Sequence, residues 1–361
     1  MKKIIIGIIA SLLMFSSTMT VLADTNSQTV QQNDQAKSKK ISQRNGILLD
    51  VARYPMDKAA IKQVIDQMNP QKFSYLILHL NDDQHVAFQS KILGNQDDPN
   101  TLSASDIKEI VSYAKERQIM IVPDFDTPGH CEAFIKLVQK NHPKIAKKII
   151  SNQNTLDFLK KATIDFVKKI YQEINQAFKD QSNRYLMIGG DEVAGGIANN
   201  KQLVSYFNQL NKFENKQGYK TIVWNDNLKK KNKLNDNITV AYWSQSGNSS
   251  NQEVNKKRIK QRATVNELKQ HPLINANSDY NYFMMNNLNN QAEVQRFIQN
   301  FWQNNPKNYN ELDGKTLGNN GKSYQSKVSS TGQLVALWEG NSQVISTQQV
   351  IDFVKALNQA E

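Results

Sequence analysis

One cysteine, Cys131, stands among 361 residues. A lone thiol excludes an intrachain disulfide and any zinc centre built on several thiolates. Long apolar runs are also missing. The longest, residues 4–15, has 12 residues, short of the ~20 that a membrane-spanning helix needs. No glycine-rich phosphate or dinucleotide loop follows an early strand-like segment, which argues against a doubly wound nucleotide-binding sheet. Acids are outnumbered by 33 to 45, giving a formal net charge of +12. Such an excess invites an anionic partner and has to be weighed against where the charges sit.

The N-terminus has its own grammar. Lys2 and Lys3 precede the apolar run, which is followed by Ser16, Ser17 and Thr18 and by the small-residue exit Val21-Leu22-Ala23. This pattern predicts a secretory signal peptide over residues 1–23, cleavage after Ala23, and an exported protein. Removing it deletes two lysines and no acid, so the mature charge is 12 − 2 = +10. Residues 24–45 are rich in Gln, Asn, Ser and Lys and read as a disordered leader. Residues 46–361 read as one folded domain.

Within that domain short apolar runs alternate with helical periodicities. Strands are expected at 47–52, 73–80, 120–125, 185–188, 221–224, 239–243, 273–277 and 334–338. Helices are expected at 57–68, 103–117, 156–178, 201–217, 265–270, 291–303 and 347–358. Eight strands in alternation with helices predict an α/β fold, a single (β/α)8 TIM barrel. Residues 305–330, rich in Asn, Gly and Ser, read as a long loop before the last strand.

Barrels of this kind carry their chemistry on the C-terminal ends of the strands. Those ends hold Asp50 and Arg53; Asp82 and Asp83; Asp124, Asp126 and His130; then Asp191 and Glu192. The later ends hold Trp224 and Asp226, Trp243, Asp279 and Tyr280, and Trp338 and Glu339. Any one of these acids could be an ordinary helix cap. Their convergence on one face, with three of the four tryptophans, suits a sugar: carboxylates take hydroxyls and aromatic faces cover the ring. The sharpest local signal is Gly189-Gly190-Asp191-Glu192, a close-packed strand exit delivering adjacent carboxylates to the mouth. Paired acids are what glycoside cleavage uses. Cys131 reads as a packing residue, and the lysine clusters, such as Lys229-Lys230-Lys231, as solvated outer faces.

Ordered blocks carry a wider resemblance. They are Gly46 to Arg53 (GILLDVAR), His79 to Gln84 (HLNDDQ), Pro123 to His130 (PDFDTPGH), Gly189 to Glu192 (GGDE), Trp224-Asn225-Asp226 and Tyr242-Trp243-Ser244. From about residue 46 to 356 the chain resembles the β-N-acetylhexosaminidases of glycoside hydrolase family 20, in their single-domain, dispersin B-like form. The resemblance implies retaining hydrolysis assisted by the substrate's own 2-acetamido group. On this chain it implies Glu192 as general acid/base and Asp191 as the group that orients the acetamide. It further implies Tyr280 as hydrogen-bond donor to the acetamido oxygen and Arg53 as the holder of ring hydroxyls, with Asp82 and His130 in support. Trp224, Trp243 and Trp338, with Asp226 beside them, would wall the acetamido pocket, and Glu339 would lie near O4 and O6.

The sequence departs from the family pattern in places. Trp338-Glu339-Gly340 replaces Trp-Gly-Glu, Tyr280-Asn281-Tyr282 replaces Tyr-Leu-Asp, and Met187 stands where a histidine is common. Neither metal nor organic cofactor is expected. The expected partner is an N-acetylglucosamine-containing glycan, including biofilm poly-N-acetylglucosamine, with electrostatic association to an anionic cell envelope. Neither nucleic acid nor a membrane span is expected. The alternative reading is a non-catalytic carbohydrate- or cell-wall-binding protein on the same barrel.

Overall fold

The computed structural model describes residues 45–247, 249–312, 324–339 and 345–360. The signal-peptide segment and residues 24–44 of the leader lie outside them.

The strands are β1 (Asn45–Asp50), β2 (Phe73–His79), β3 (Met120–Thr127), β4 (Tyr185–Gly189), β5 (Lys220–Trp224), β6 (Thr239–Tyr242) and β7 (Leu273–Asn275). After them come the short β8 (Tyr282–Met284), β9 (Asn308–Tyr309) and β10 (Tyr324–Gln325), and then β11 (Gly332–Trp338). Each of β1 to β6 pairs in parallel with the next, β7 pairs with β11, and β11 pairs back to β1. The eight strands therefore close into a parallel barrel. β8 adds to β11 at its C-terminal end, while β9 and β10 form a small antiparallel pair within the expected loop.

The helices are α1 (Lys58–Gln67), α2 (Ala104–Glu116), α3 (Glu132–Asn141), α4 (Pro143–Ile149), α5 (Lys161–Phe178), α6 (Asn200–Lys216), α7 (Gln252–Gln261), α8 (Gln291–Gln303) and α9 (Thr347–Gln359). Their starts follow local chemistry. Ser103 caps α2 through a reciprocal capping box with Asp106, and Ser346 does the same for α9 with Gln349. Among the described barrel strands only β5 and β6 are joined without a helix: residues 225–238 run between them and bring Asp226 and Asn227 to the mouth. Residues 265–270, expected as a helix, form turns. The Glu267 carboxylate accepts from the Thr264 backbone at 2.9 Å, as a helix start would, but His271-Pro272 ends the segment before a second turn can form. Among the described residues no helix is long and apolar enough to cross a membrane.

Strand alternation sorts the core into two clusters. Ile47, Leu49, Leu76, Leu78, Ile121 and Val223 pack outward with the helices. Leu48, Tyr75, Ile77, Val122, Met187, Ile222, Ala241, Ile274 and Ala336 fill the barrel interior. Continuing the inward series by two residues reaches Asp50, His79, Asp124, Trp224, Trp243 and Trp338. The interior thus turns from aliphatic to polar and aromatic as each strand ends, and that change builds the site.

Candidate active site

The mouth holds a cavity of about 610 Å³, lined among others by Arg53, His79, Asp82, Asp126, His130, Asp191, Glu192, Trp243, Tyr282, Trp338 and Glu339. On the β1–β3 side the polar groups bind one another. Arg53 Nη1 donates to Asp50 Oδ2 at 2.7 Å, Arg53 N donates to Asp50 Oδ1 at 3.0 Å, and Arg53 Nη2 pairs with Asp82. His79, buried on the inward face of β2, meets Asp124 Oδ2 through Nδ1 at 2.7 Å and Asp82 Oδ2 through Nε2 at 3.0 Å. Burial opposes charge on His79, but Asp124 and Asp82 raise its pKa well above the usual imidazole range. It therefore donates from both ring nitrogens. Burial pushes the Asp82 carboxyl up, yet its bonds to His130 and His79 hold it well below the ordinary carboxylate range.

His130 links this network to the paired acids. Its Nδ1 lies 3.4 Å from Asp82 Oδ1, and its Nε2 lies 3.9 Å from Asp191 Oδ2 and 3.8 Å from Glu192 Oε2. Burial works against its charge, but the hydrogen bond to Asp82 and the carboxylates of Asp191, Asp82 and Asp83 raise its pKa to about 9. At neutral pH it is an imidazolium among acids. Asp82, Asp83 and His130 bring ligand atoms within 4.8 Å of one another, but Asp82 Oδ2 is already taken by Arg53 and His79, and Asp82 Oδ1 accepts from the Asp83 backbone N–H at 2.6 Å.

The exit of β4 explains the two glycines. Gly189 has φ +88°, and a Cβ there would sit 1.8 Å from Asp126 Oδ1. Gly190, at φ +97°, donates its N–H to that same oxygen at 3.0 Å. Glu192 and His130 also adopt left-handed backbone, φ +41° and +50°, which costs roughly 1–2 kcal/mol each for residues with a side chain. The surroundings hold this strain: Glu192 N donates to Asp226 Oδ2 at 2.9 Å, and Asn227 Nδ2 donates to that oxygen and to the Gly190 carbonyl, each at 3.0 Å. The turn separates the two carboxylates. The Asp191 side chain is 22 % exposed and the Glu192 side chain 60 %. Burial, and then the charge of Asp226, raise the Asp191 pKa well above the ordinary carboxylate range, with His130 pulling it down. Asp191 Oδ1 is a buried acceptor without a partner.

Aromatic residues line the opposite side. Trp243 and Tyr282 stack at 6.0 Å and 13°, and Tyr282 meets Trp338 edge-on at 5.9 Å. Trp243 Nε1 donates to Asp226 Oδ1 at 3.4 Å. Burial and the carboxylates of Asp191 and Asp226 push the Tyr282 hydroxyl well above its ordinary range, so it stays a donor.

Several expected residues sit differently. Tyr280 does not line the cavity; it lies in the turn after β7, and Tyr282, on β8, supplies the tyrosine. Trp224 lies beneath the cavity, fully buried against Trp338 at 6.2 Å, rather than in its wall. Asp226 lies beside Trp243, as expected, and lines the adjoining cavity rather than this one, accepting from Glu192 N and Trp243 Nε1. Arg53, Asp82, His130, Asp191, Glu192, Trp243, Trp338 and Glu339 all reach the cavity. Glu339 N donates to Asp50 Oδ2 at 3.2 Å, tying the displaced acid to the arginine side. His79, Gln84, Met284 and Asn286 also line it and had no assigned role. The inward parity of β2 was the available signal for His79. Cys131 is buried and its thiol donates to the Gly129 carbonyl at 3.0 Å; burial raises its pKa well above the usual range, which leaves it a packing residue.

Residues 44–354 match the model of the glycosyl hydrolase family 20 catalytic domain. Beta-hexosaminidase subunit beta of Sus scrofa is 30% identical over 193 residues, covering 51% of this chain and 34% of that one. Beta-hexosaminidase subunit A1 of Dictyostelium discoideum is 32% identical over 224 residues, covering 55% and 41%. The alignments thus span well under half the length of these relatives. In fold, the chain is similar to dispersin B, with TM-score 0.74 and 24% identity over 87% of this chain and 97% of that one. It is also similar to a catalytic module of the pneumococcal exo-β-D-N-acetylglucosaminidase, with TM-score 0.67 and 17% identity over 90% and 83%. With a closed barrel and a family match over nearly all of its described residues, the chain belongs to glycosyl hydrolase family 20.

Proposed function

We propose that the protein is a β-N-acetylhexosaminidase that releases β-linked N-acetylglucosamine with retention of configuration, using the substrate's acetamido oxygen as nucleophile. The carrying observation is the split pair at the β4 exit: Asp191 turned inward with an unpartnered acceptor, Glu192 turned out to the mouth.

The acetamide N–H donates to Asp191 Oδ1, which orients the group and balances the positive charge that builds on it. The Tyr282 hydroxyl donates to the acetamido oxygen and aims it at C1. As that oxygen attacks C1, the glycosidic bond breaks and Glu192 passes its proton to the departing oxygen. The Glu192 carboxylate then takes a proton from water, which opens the oxazolinium ring and restores the acid. Arg53, fixed by Asp50 and Asp82, holds ring hydroxyls, and Trp243, Tyr282 and Trp338 enclose the acetamido methyl.

Hydrolysis of 4-nitrophenyl β-N-acetylglucosaminide tests this reading, in parallel with the N-acetylgalactosaminide and a β-1,6-linked poly-N-acetylglucosamine. Release of 4-nitrophenol by the wild type, abolished in Glu192→Gln, is the expected result. Sugar binding without turnover in the wild type would overturn it in favour of a carbohydrate-binding protein. We further propose export through residues 1–23 and retention on an anionic envelope by the lysine clusters. Unchanged retention on cell walls after neutralising those clusters removes the second part.

A further inference from the structure

A second cavity, of about 280 Å³, adjoins the first and shares Glu192 and Trp243 with it. Its lining also includes Arg258, on α7, and Arg262, just beyond that helix. The two guanidiniums converge over Gly247, where a Cβ would lie 3.1 Å from Arg262 Nη1 and 3.2 Å from Arg258 Nη1. Arg262 Nη1 donates to the Gln245 carbonyl at 3.1 Å, whereas Arg258 Nη1 is buried without a hydrogen-bond partner. Burial lowers the Arg258 pKa and the neighbouring Arg262 charge lowers it further, against the pull of Asp226 and Glu192. An unsatisfied guanidinium N–H beside a like charge is costly, and an oxyanion relieves both terms with charge-assisted hydrogen bonds.

We propose that this cavity receives the leaving-group side of the substrate, and that Arg258 and Arg262 select an aglycone bearing a carboxylate or phosphate next to the cleaved bond. The inference rests on the glycosidase reading above. A general acid that protonates the bridging oxygen stands between the sugar released and the group it leaves, and Glu192 faces both cavities. Cationic glucosamine at this position would meet two guanidinium groups and be disfavoured.

The surface beyond continues the charge. At Ala198 the second cavity meets a third, of about 560 Å³, lined by Lys201, Lys229, Lys230, Lys231 and Lys233. Lys229 forms an antiparallel bridge with Arg262, and Lys230 N donates to the Gln261 carbonyl at 2.9 Å, so the lysine run and the arginine pair are held together. An anionic polymer leaving Glu192 across the arginines would run onto these lysines. Each exposed cation contributes little alone, and their combined effect is screened by salt.

The test compares two β-1,4-linked disaccharides, N-acetylglucosaminyl-glucuronate and N-acetylglucosaminyl-N-acetylglucosamine, with β-N-acetylglucosaminyl glycerol phosphate as a third arm. Wild-type kcat/KM should be about tenfold or more higher for an anionic aglycone, and this preference should fall with added salt. In the Arg258→Ala/Arg262→Ala double variant the ratio should drop to near one. The two anionic arms separate a carboxylate source from a phosphate source. Equal wild-type rates on charged and neutral aglycones, or a ratio that survives the double substitution, overturn the proposal. A merely structural role for the arginines would lower both rates together and leave their ratio intact. Calorimetric binding of the same compounds to Glu192→Gln protein, with and without the arginine substitutions, gives the ratio without turnover. Absence of hydrolysis on every substrate would therefore sink the glycosidase reading, while the binding ratio still decides the arginine pair.

Discussion

The two sides of the barrel mouth are made of different materials. β1, β2 and β3 deliver Asp50, His79 and Asp124, which with Arg53, Asp82 and His130 form one network of opposite charges, even though Asp124 Oδ1 and both His130 ring nitrogens make no close hydrogen bond. β5, β6, β8 and β11 deliver Trp224, Trp243, Tyr282 and Trp338, a wall of rings in which the indole N–H groups of Trp224 and Trp338 are buried without partners. The paired acids at β4 stand where the two meet. The charged side is set by electrostatics before any sugar arrives, because each carboxylate there already has a cation. The aromatic side is set by shape, so it selects by fit and by excluding water.

The comparison breaks most visibly at its hub. Asp82→Asn removes the carboxylate shared by Arg53, His79 and His130. It should cost about 3–5 kcal/mol of stability, the range for breaking a buried ion pair, read as a lower urea midpoint together with a collapse of kcat/KM. On the aromatic side Tyr282→Phe keeps the stack on Trp243 and loses only the hydroxyl. A fall in kcat of about 10²–10³, typical of losing one donor to a developing charge, is expected with an unaltered melting temperature. Tyr280→Phe should leave the same rate nearly untouched, and the reverse order would return the role to Tyr280. Trp243→Phe, which removes one long hydrogen bond to Asp226 and part of the stack on Tyr282, should cost about 1–2 kcal/mol in kcat/KM.

pH sharpens the same contrast. His130 has its pKa raised to about 9, so its contribution to stability is fully present below the usual imidazole value of about 6.5 and is lost as pH rises through 9. Unfolding midpoints should fall across that window in the wild type and not in His130→Gln. The cation on His130 also lowers the Asp191 pKa. Its removal should move the acidic limb of the kcat/KM profile to higher pH, and a limb that stays put would detach His130 from the pair.

Much of this was legible because the barrel repeats one simple rule. Eight short apolar runs gave eight strands, and the polar residues at their ends, from Asp50 to Trp338, fell on one face. The misses have physical causes. Helix α7 reads QEVNKKRIKQ and buries only Asn255, so no apolar periodicity announces it. α3 and α4 are divided by His142-Pro143, which looks like a break although proline is favourable at the first helical position. The tyrosine was assigned two residues early because β7 stops at Asn275 and the chain turns before the three-residue β8 joins β11. Register across such a turn depends on the partner strand, which a local pattern does not contain.

Trp224, Trp243 and Trp338 lie in or beneath the cavity, while the fourth tryptophan, Trp302, packs between Phe73 and Phe301, with its indole N–H on the Leu357 carbonyl. Three of the protein's four indoles therefore lie where a sugar would dock. Replacing Trp302 with phenylalanine would strip out the remote signal and leave a protein whose own light reports occupancy of the site, without label or chromogenic substrate.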